Sequence, residues 1–254
     1  MIPDVVVDIG NSRLKCGRCG AEAGIAAAVA MPPQPESWER LLEEWKLPAG
    51  RTQWAIASVN PLVCEQFTAW AKQRGDSVFV FHNWRQVGLP VKADPPEGVG
   101  LDRLFNILAV RSLVEPGQCA IVADIGTAVT VDLLDQEGAF AGGSIFPGIR
   151  LMARALHAHT AALPLVEVRP KPCTGPGLNT EDAICNGINM AVVGGVDALI
   201  LQIAASCVNS PTIFLTGGDA APFRYTLAAA MNFRFYVRPL LTLEGIRLAA
   251  EALP

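Results

Sequence analysis

The sequence has little charge for its length and no surplus of positive charge. Charged residues make up 17% of the 254 residues, and 20 basic against 24 acidic side chains give a net charge of −4. Proteins that bind a nucleic-acid backbone need clustered Lys and Arg, so we expect no nucleic-acid partner. Hydrophobic residues reach 51%, which excludes a disordered chain. Sparse charge also indicates that some apolar surface is covered in an oligomer.

The sequence also lacks the paired ligands of a zinc site. Cys16 and Cys19 form one C-x-x-C, but no second Cys or His pair follows at matching spacing. His157 and His159 are two residues apart, so they would point to different faces of a helix. We therefore expect the seven cysteines to be reduced thiols without a function, as in a cytoplasmic protein.

No apolar run is long enough to predict a membrane span. The best candidate, 190–205, contains Asp197 and Gln202 and is shorter than a bilayer requires. The first residues carry Asp4 and Asp8 where a signal peptide would be basic. We therefore expect a cytoplasmic protein with no membrane partner, in which 190–205 belongs to a buried helix.

Two segments of the chain resemble each other. Residues 5–15 and 120–130 both contain an apolar run, Asp-Ile-Gly, a small polar residue and a second apolar strand, and Asp8 and Asp124 lie 116 residues apart. A single repeat at this spacing predicts two related domains, not a solenoid. We place the domains at 1–116 and 117–254.

Strand-like and helix-like patterns alternate along both halves, which predicts an α/β fold. The segments 87–100 and 163–179 are rich in Gly and Pro and predict loops. Strands are predicted over 4–9, 13–19, 54–58, 78–81, 119–124, 128–134, 139–144 and 212–216. Helices are predicted over 38–45, 61–75, 101–114, 148–161, 181–206 and 243–253.

The glycine turn after the first strand has the character of a phosphate site. Glycine lets backbone N–H groups approach a ligand closely, and such turns suit phosphate oxygens. Asp8 ends an apolar strand, a position that favours a bound cation or donors, and Lys15 adds a charge within reach of a phosphate. The segment matches neither G-x-x-x-x-G-K-[ST] nor G-x-G-x-x-G, and by itself it also fits an ordinary hairpin turn.

Three further segments carry similar chemistry. Asp124 to Thr130 repeats the acid, glycine turn and hydroxyls, and two such loops can hold a polyphosphate and its metal across a cleft. Thr216-Gly217-Gly218-Asp219 supplies another glycine turn, although Gly-Gly is also a plain turn. Asp102 opens a predicted helix, where an acid is either a cap or a base that accepts a proton from an alcohol. The adjacent Arg103 offers the cationic charge that phosphoryl transfer needs.

Taken in order, these motifs resemble type III pantothenate kinase. These segments are distributed over nearly the whole chain. They are Asp8 to Lys15, Gly100 to Arg103, Asp124 to Asp132, Gly142 to Gly148 and Thr216 to Asp219. The resemblance implies the actin-like ATPase fold, two ribonuclease H-like domains with ATP in the cleft between them. It also implies phosphorylation of pantothenate to 4′-phosphopantothenate, the first step of coenzyme A biosynthesis, by a homodimer with Mg²⁺ and a monovalent cation, K⁺ or NH₄⁺.

The resemblance assigns a role to each matching residue. Asp102 is the catalytic base, and Thr127 contacts ATP. Asp124 binds the monovalent cation. Pantothenate is contacted by Gly100, Leu101, Asp102, Arg103 and Thr180. The ATP phosphate loop consists of Asp8, Ile9, Gly10, Asn11, Ser12, Arg13, Leu14 and Lys15.

The chain departs from the family pattern at three positions and leaves alternatives open. Ser12 stands where the family usually has Thr, which keeps the hydroxyl. Ala93 stands near the place of a Tyr that forms one wall of the substrate site, and Leu104 replaces a Trp. Another small-molecule kinase of the same fold remains an alternative, as does a non-catalytic ATP-binding regulatory or accessory protein. The apolar helix at 181–206 is the surface that we expect to be buried between subunits.

Overall fold

A computed structural model describes residues 1–20, 24–170, 175–224, 227 and 233–253. The chain forms two compact units, one made of Met1–Ser112 with Leu240–Pro254 and the other of Leu113–Pro239. The predicted division at 116 differs from this one mainly at the end of the chain, because the last helix belongs to the first unit.

The first unit is built on a mixed five-stranded sheet in the order β3-β2-β1-β4-β5. The central strand β1 pairs antiparallel with β2 and parallel with β4. The outer strand β3 pairs antiparallel with β2, and β5 pairs parallel with β4. The strands are β1 (Val5–Ile9), β2 (Leu14–Cys19), β3 (Ile25–Met31), β4 (Gln53–Ser58) and β5 (Ser77–Val80).

The second unit repeats this topology, with the order β8-β7-β6-β9-β10. Its central strand β6 pairs antiparallel with β7 and parallel with β9, as β1 does with β2 and β4. The α/β prediction and the internal repeat are therefore confirmed. The strands are β6 (Ala120–Ile125), β7 (Ala128–Leu134), β8 (Phe140–Pro147), β9 (Thr212–Thr216) and β10 (Arg234–Val237).

The part of the chain that the structure describes forms six α-helices, and several begin where the sequence predicts. The side chain of Asn60 accepts a hydrogen bond from the Val63 amide at 3.3 Å and caps α2, with Pro61 as the first helical residue, where the predicted helix 61–75 begins. The helices are α1 (Pro35–Trp45), α2 (Pro61–Gln73), α3 (Leu101–Arg111), α4 (Ile149–His159), α5 (Thr180–Ala204) and α6 (Leu241–Glu251).

Helix α6 lies in the first unit because it packs closely on α3. The Thr242 hydroxyl donates to the Asn106 side-chain oxygen at 2.8 Å, and both side chains are buried. Gly245 lies so near the backbone of Phe105 that a Cβ there would overlap the Phe105 carbonyl. The last helix of the chain thus completes the unit that contains the first strand.

The core of the first unit contains a Trp-rich cluster. Trp38 and Trp54 are buried and make edge-on contacts with the Phe67 ring at 5.1 and 5.3 Å. The Trp54 indole N–H also donates to Asp76 Oδ2 at 3.1 Å, and the Arg74 Nε–H donates to the same oxygen at 3.0 Å. Asp76 is a buried carboxylate whose charge is compensated within the unit.

Helix α5 has two different faces. One face contributes Ile188, Val192 and Val196 to the core of the second unit, so the prediction of a buried helix holds for that face. The opposite face leaves Met190 and Leu201 each 54% exposed. The helix is longer than the run 190–205, and by length and composition alone it is apolar enough to span a membrane, with 39% of its most apolar window buried.

The thiols are reduced wherever the structure describes them, and Cys173 lies outside the described residues. Cys16 and Cys19 are three positions apart on β2, so their side chains point to opposite faces of the sheet. Burial raises the pKa of the Cys16 thiol far above its usual range, and burial also raises the pKa of Cys19 to about 12. Neither is a reactive thiolate at neutral pH.

Candidate functional site

The predicted phosphate loop of the first unit is the turn between β1 and β2. The Gly10 amide donates to the Arg13 carbonyl at 3.0 Å, which closes a tight turn with Asn11 and Ser12 exposed at its tip. Asp8 and Lys15 are cross-strand partners just below the turn, with Nζ and Oδ2 3.8 Å apart. The loop therefore combines exposed backbone, one carboxylate and one ammonium group.

The predicted catalytic residue lies at the start of α3. Gly100 is the N-cap, and Asp102 and Arg103 occupy the first turn. The Asp102 Oδ1 accepts a hydrogen bond from the Arg103 amide at 2.9 Å, so the carboxylate is held at the end of the helix and is partly exposed. A Cβ at position 100 would lie 2.5 Å from Oδ1, so glycine leaves the space that the carboxylate occupies.

The second glycine loop joins β6 to β7 in the second unit. The Gly126 amide donates to the Ala128 carbonyl at 3.0 Å, and Asp124 pairs across the strands with Thr130. Thr127 is exposed at the turn. The loop thus places a carboxylate, a hydroxyl and an exposed threonine at the carboxyl end of the central strand.

Two other glycine segments of the second unit pack against this loop. The Gly148 amide donates to the Thr127 carbonyl, and the Asp219 amide donates to the Ile125 carbonyl, both at 3.0 Å. Gly217 has a φ of +97°, and a Cβ there would lie 2.5 Å from the Asp124 Oδ1. Only glycine allows this backbone to approach so closely.

Helix α4 begins beside the loop. Gly148 is its N-cap and has no capping side chain, so the first amides of α4 have no acceptor in the helix. Arg150 in this first turn makes two hydrogen bonds to Asp219, with N–O distances of 3.2 and 2.9 Å. Because Asp219 is only 6% exposed, this bidentate pair compensates a nearly buried carboxylate at the end of β9.

Two polar side chains of β7 face the same side of the sheet as Asp124. Thr130 lies directly opposite Asp124, and its Oγ1 is buried without a hydrogen-bond partner among the residues that the structure describes. Asp132, two residues on, is fully buried opposite Gly143, where any side chain would overlap the carboxylate. A carboxylate with an adjacent unpaired hydroxyl oxygen is the oxygen-donor chemistry that hard cations prefer.

Thr180 begins α5 and is exposed. The Asn179 side chain before it accepts a hydrogen bond from the Asp182 amide at 2.8 Å and caps the helix. Leu104 is fully buried, so the departure from the family at this position is accommodated by packing. Ala93 is half-buried in the loop before α3.

The structure brings some of the predicted residues together within each unit. Asp8 and Lys15 meet in the first unit, and the Asp124 loop meets Gly148 and the Gly217 turn in the second. Sequence reasoning missed Arg150 as the partner of Asp219. Its position two residues after a glycine at a helix start was the available signal, but the pairing spans 69 residues.

A family model described as type III pantothenate kinase matches residues 5–202. A type III pantothenate kinase of Dechloromonas aromatica is 34% identical over 252 residues, covering 96% of this chain and 97% of its own length. Among solved structures, a Sinorhizobium meliloti protein assigned as a 2-dehydro-3-deoxygalactonokinase has a TM-score of 0.60 at 12% identity, covering 98% of both chains. An archaeal actin homologue covers 100% of both chains with a TM-score of 0.52 at 11% identity.

These structural matches, at low identity, concern the fold. They agree with the two sheets of identical strand order, and the fold is that of the actin-like ATPases. The sequence matches concern the family, and they span both glycine loops and the start of α3. The chain belongs to the type III pantothenate kinase family.

Proposed function

We propose that this protein transfers the γ-phosphoryl group of ATP to the primary hydroxyl of pantothenate and forms 4′-phosphopantothenate. The observation that supports this proposal most directly is the Asp102 carboxylate, which is held by the Arg103 amide at the start of α3 in a chain of this family. The reaction opens coenzyme A biosynthesis, and we place it in the cytoplasm.

Asp102 acts as the general base in this proposal. Its Oδ1 is oriented by the 2.9 Å hydrogen bond from Arg103, and Gly100 leaves room beside it. A carboxylate fixed in this way can accept the proton of an alcohol while the hydroxyl oxygen attacks phosphorus. Gly100, Leu101 and Arg103, with Thr180 on α5, would contact pantothenate.

The turn from Asp8 to Lys15 would hold the ATP phosphates. Exposed amides at its tip can donate to phosphate oxygens, and Lys15 can neutralise charge that develops on them. Asp8 lies below the turn, with its side chain 15% exposed, and is a suitable carboxylate ligand for Mg²⁺. The bound Mg²⁺ would supply further neutralisation of the phosphate charge.

The second glycine loop would bind the monovalent cation through Asp124, with K⁺ or NH₄⁺ as the candidates. The unpartnered Oγ1 of Thr130 supports this, because it lies opposite Asp124 and offers a second oxygen donor. Thr127, exposed at the same turn, would contact ATP. The cation would offset negative charge close to the phosphates.

The test is turnover of ATP with pantothenate in the presence of Mg²⁺ and K⁺, followed by mass spectrometry of the product. Asp102→Asn should stay folded and lose at least about a hundredfold in kcat, as expected when a general base is removed. Glu65→Gln, an exposed change on α2, is the matched control and should turn over at the wild-type rate. No phosphopantothenate from the wild type would exclude the proposal.

One observation keeps a non-catalytic role as the second candidate. Ala93 stands where the family resemblance places an aromatic wall of the substrate site, and its methyl group cannot replace a ring. A regulatory or accessory protein of this fold would bind ATP without pantothenate-dependent turnover. A substrate panel in the same assay separates this role from that of another small-molecule kinase.

The working form that we propose is a homodimer that buries the exposed face of α5. Apolar and small side chains line this face, and a Cβ added at Gly187 or Gly194 would meet no atom of the described residues within 4 Å. Met190 and Leu201 are each 54% exposed on it. Such a flat apolar strip on a protein with few charges favours a second copy as its cover.

Sedimentation analysis tests this assembly. Gly194→Arg places a long charged side chain on the open face, so it should leave the subunit folded and shift the dimer to monomer. Ala69→Arg, on the exposed side of α2, is the control and should remain a dimer. A wild-type monomer at all concentrations would contradict the proposed dimer.

A further inference from the structure

The second unit contains a pocket of about 590 Å³ away from the glycine loops. Gln118 and Thr212 line it where β6 and β9 begin, whereas Asp124 and Thr216 lie near the opposite ends of these strands. None of the residues predicted for the phosphoryl-transfer site lines this pocket. Its volume falls in the range of about 300–1,000 Å³ that is typical of small-molecule sites.

An aromatic platform forms one wall of the pocket. The Tyr236 ring stacks on the Phe214 ring, with centroids 5.6 Å apart and planes inclined by 27°. Phe214 is buried whereas Tyr236 is 43% exposed. The Tyr236 ring is therefore fixed from below by a core residue and presents aromatic surface to the pocket.

Two arginines flank this platform. Arg234, Tyr236 and Arg238 alternate along extended chain, so they lie on the same side of the sheet. The Arg238 guanidinium carbon is 5.5 Å from the centroid of the Tyr236 ring. Among the described residues neither arginine forms an ion pair, and Glu115 is the one carboxylate in the lining. The pocket thus carries an excess of positive charge.

The remaining polar wall is held in place by hydrogen bonds. The Gln118 side-chain amide donates to the Asn209 side-chain oxygen at 3.1 Å and to the Ser210 carbonyl at 2.7 Å. The same Asn209 oxygen accepts from the Cys119 amide at 3.0 Å. Because these contacts join the start of β6 to the segment before β9, the shape of the pocket is set before a ligand arrives.

We propose that this pocket is a second ligand site that binds a small planar anion of the nucleoside monophosphate type. The base packs on the platform of Tyr236 and Arg238, where ring stacking and the guanidinium both contribute. The phosphate is held by Arg234 and Arg238, since guanidinium groups bind phosphate in a bidentate manner. The site is independent of the proposed phosphorylation of pantothenate.

Calorimetric titration of the full chain with AMP tests the proposal. The wild type should bind AMP with a Kd below about 1 mM, and the double variant Arg234→Gln/Arg238→Gln should bind at least about tenfold more weakly. Arg154→Gln, an exposed change on α4, should bind as the wild type does. Lys15→Gln should also leave AMP binding at this site unchanged.

Three outcomes would overturn the proposal. They are no binding of AMP to the wild type at about 1 mM, equal affinity in the double variant, or loss of AMP binding in Lys15→Gln alone. Both arginines are exposed, so the double variant should keep the wild-type melting temperature. If the double variant melts at a lower temperature, AMP binding by the single variant Arg234→Gln is compared with that of the wild type instead. A failed pantothenate assay with intact AMP binding would reject the proposed function and leave this site standing.

Discussion

The two glycine loops occupy the same place in the same topology but are supported in different ways. Each loop is closed by its own turn, from the Gly10 amide to the Arg13 carbonyl in the first and from the Gly126 amide to the Ala128 carbonyl in the second. The first also has the cross-strand pair of Asp8 and Lys15, and its Ile9 carbonyl accepts one amide from outside the hairpin, that of Val59. The second receives amides from Gly148 and Asp219. The first loop therefore receives one backbone contact from outside its hairpin, whereas the second receives two, and the additional contact comes from Gly148.

Because of this difference, we expect the first loop to serve mainly ligand binding and the second to contribute mainly to stability. A loop with fewer contacts from outside its hairpin can present exposed backbone and a partly exposed Lys15 to a ligand without holding the unit together. A loop joined to two other segments contributes to the stability of its whole unit, and its glycines are fixed by close backbone contacts. Changes in the second loop should therefore cost stability, and changes in the first should mainly alter activity.

The largest expected effect is that of Gly217→Ala. The added Cβ would lie 2.5 Å from Asp124 Oδ1 at a φ of +97°, which should lower the free energy of unfolding by about 3 kcal/mol. At Gly10 the corresponding distance, to the Arg13 carbonyl, is 3.1 Å, so Gly10→Ala should cost about 1 kcal/mol. Urea denaturation of both variants measures the difference, and equal losses would refute the contrast between the loops.

Arg150→Gln should have the next largest effect. It leaves the nearly buried Asp219 carboxylate without its bidentate partner, and since Arg150 is itself half exposed we expect a loss of about 1–2 kcal/mol. Arg154→Gln, one turn later on α4, removes an exposed arginine and should change stability by less than about 0.5 kcal/mol. The denaturation midpoints of the two variants are compared with that of the wild type. Unchanged midpoints in both variants would contradict a stabilising role for the Arg150–Asp219 pair.

Lys15→Gln should change stability little but activity strongly. The Asp8–Lys15 distance of 3.8 Å and the 35% exposure of Lys15 predict a pair worth less than about 1 kcal/mol. Loss of a positive charge beside the phosphates should lower kcat/KM for ATP by at least about tenfold. A variant that is destabilised but fully active would reverse the proposed roles of the loops.

The smallest effect concerns alkaline stability. Burial raises the pKa of Cys19 to about 12 and that of Cys207 to about 11, from 9.0. A raised pKa means that the folded state favours the neutral thiol, so this stability is present below pH 9 and is lost as pH rises towards the folded pKa. Because the pKa of Cys19 is the higher of the two, the loss of its stabilising contribution extends to higher pH.

The urea denaturation midpoint of the wild type should therefore fall as the pH is raised from 8. Cys19→Ser should reduce this fall more than Cys207→Ser does. The comparison again sets the first unit against the second, because each thiol lies in a different unit. Identical pH profiles for the wild type and both variants would show that thiol burial makes no contribution.

Much of the fold follows from local sequence patterns, but two strands do not. The segment of β3 is rich in Ala and resembles a helix former more than a strand, and it is extended because β2 offers it a pairing edge. The short strand β10 becomes visible only through its pairing with β9. Both lie at sheet edges, where pairing partners decide more than intrinsic preference.

The candidate site shows the same division. Asp8, Asp102 and Asp124 can be chosen from the sequence because each stands beside a glycine at the end of a strand or the start of a helix. The partnership of Arg150 with Asp219 cannot, since 69 residues separate them and the motif around Asp219 does not indicate its partner. The same is true of the pocket around Tyr236.

The sequence by itself determined the internal repeat, the α/β class, the family and the glycine turns, because these depend on short-range patterns of apolar, small and acidic residues. Only the tertiary structure decided that α6 completes the first unit, that three glycine segments meet at Asp124, and that two arginines flank a stacked Tyr236. The physical reason is that such contacts depend on strand register and on which backbones can approach each other, and neither is encoded locally.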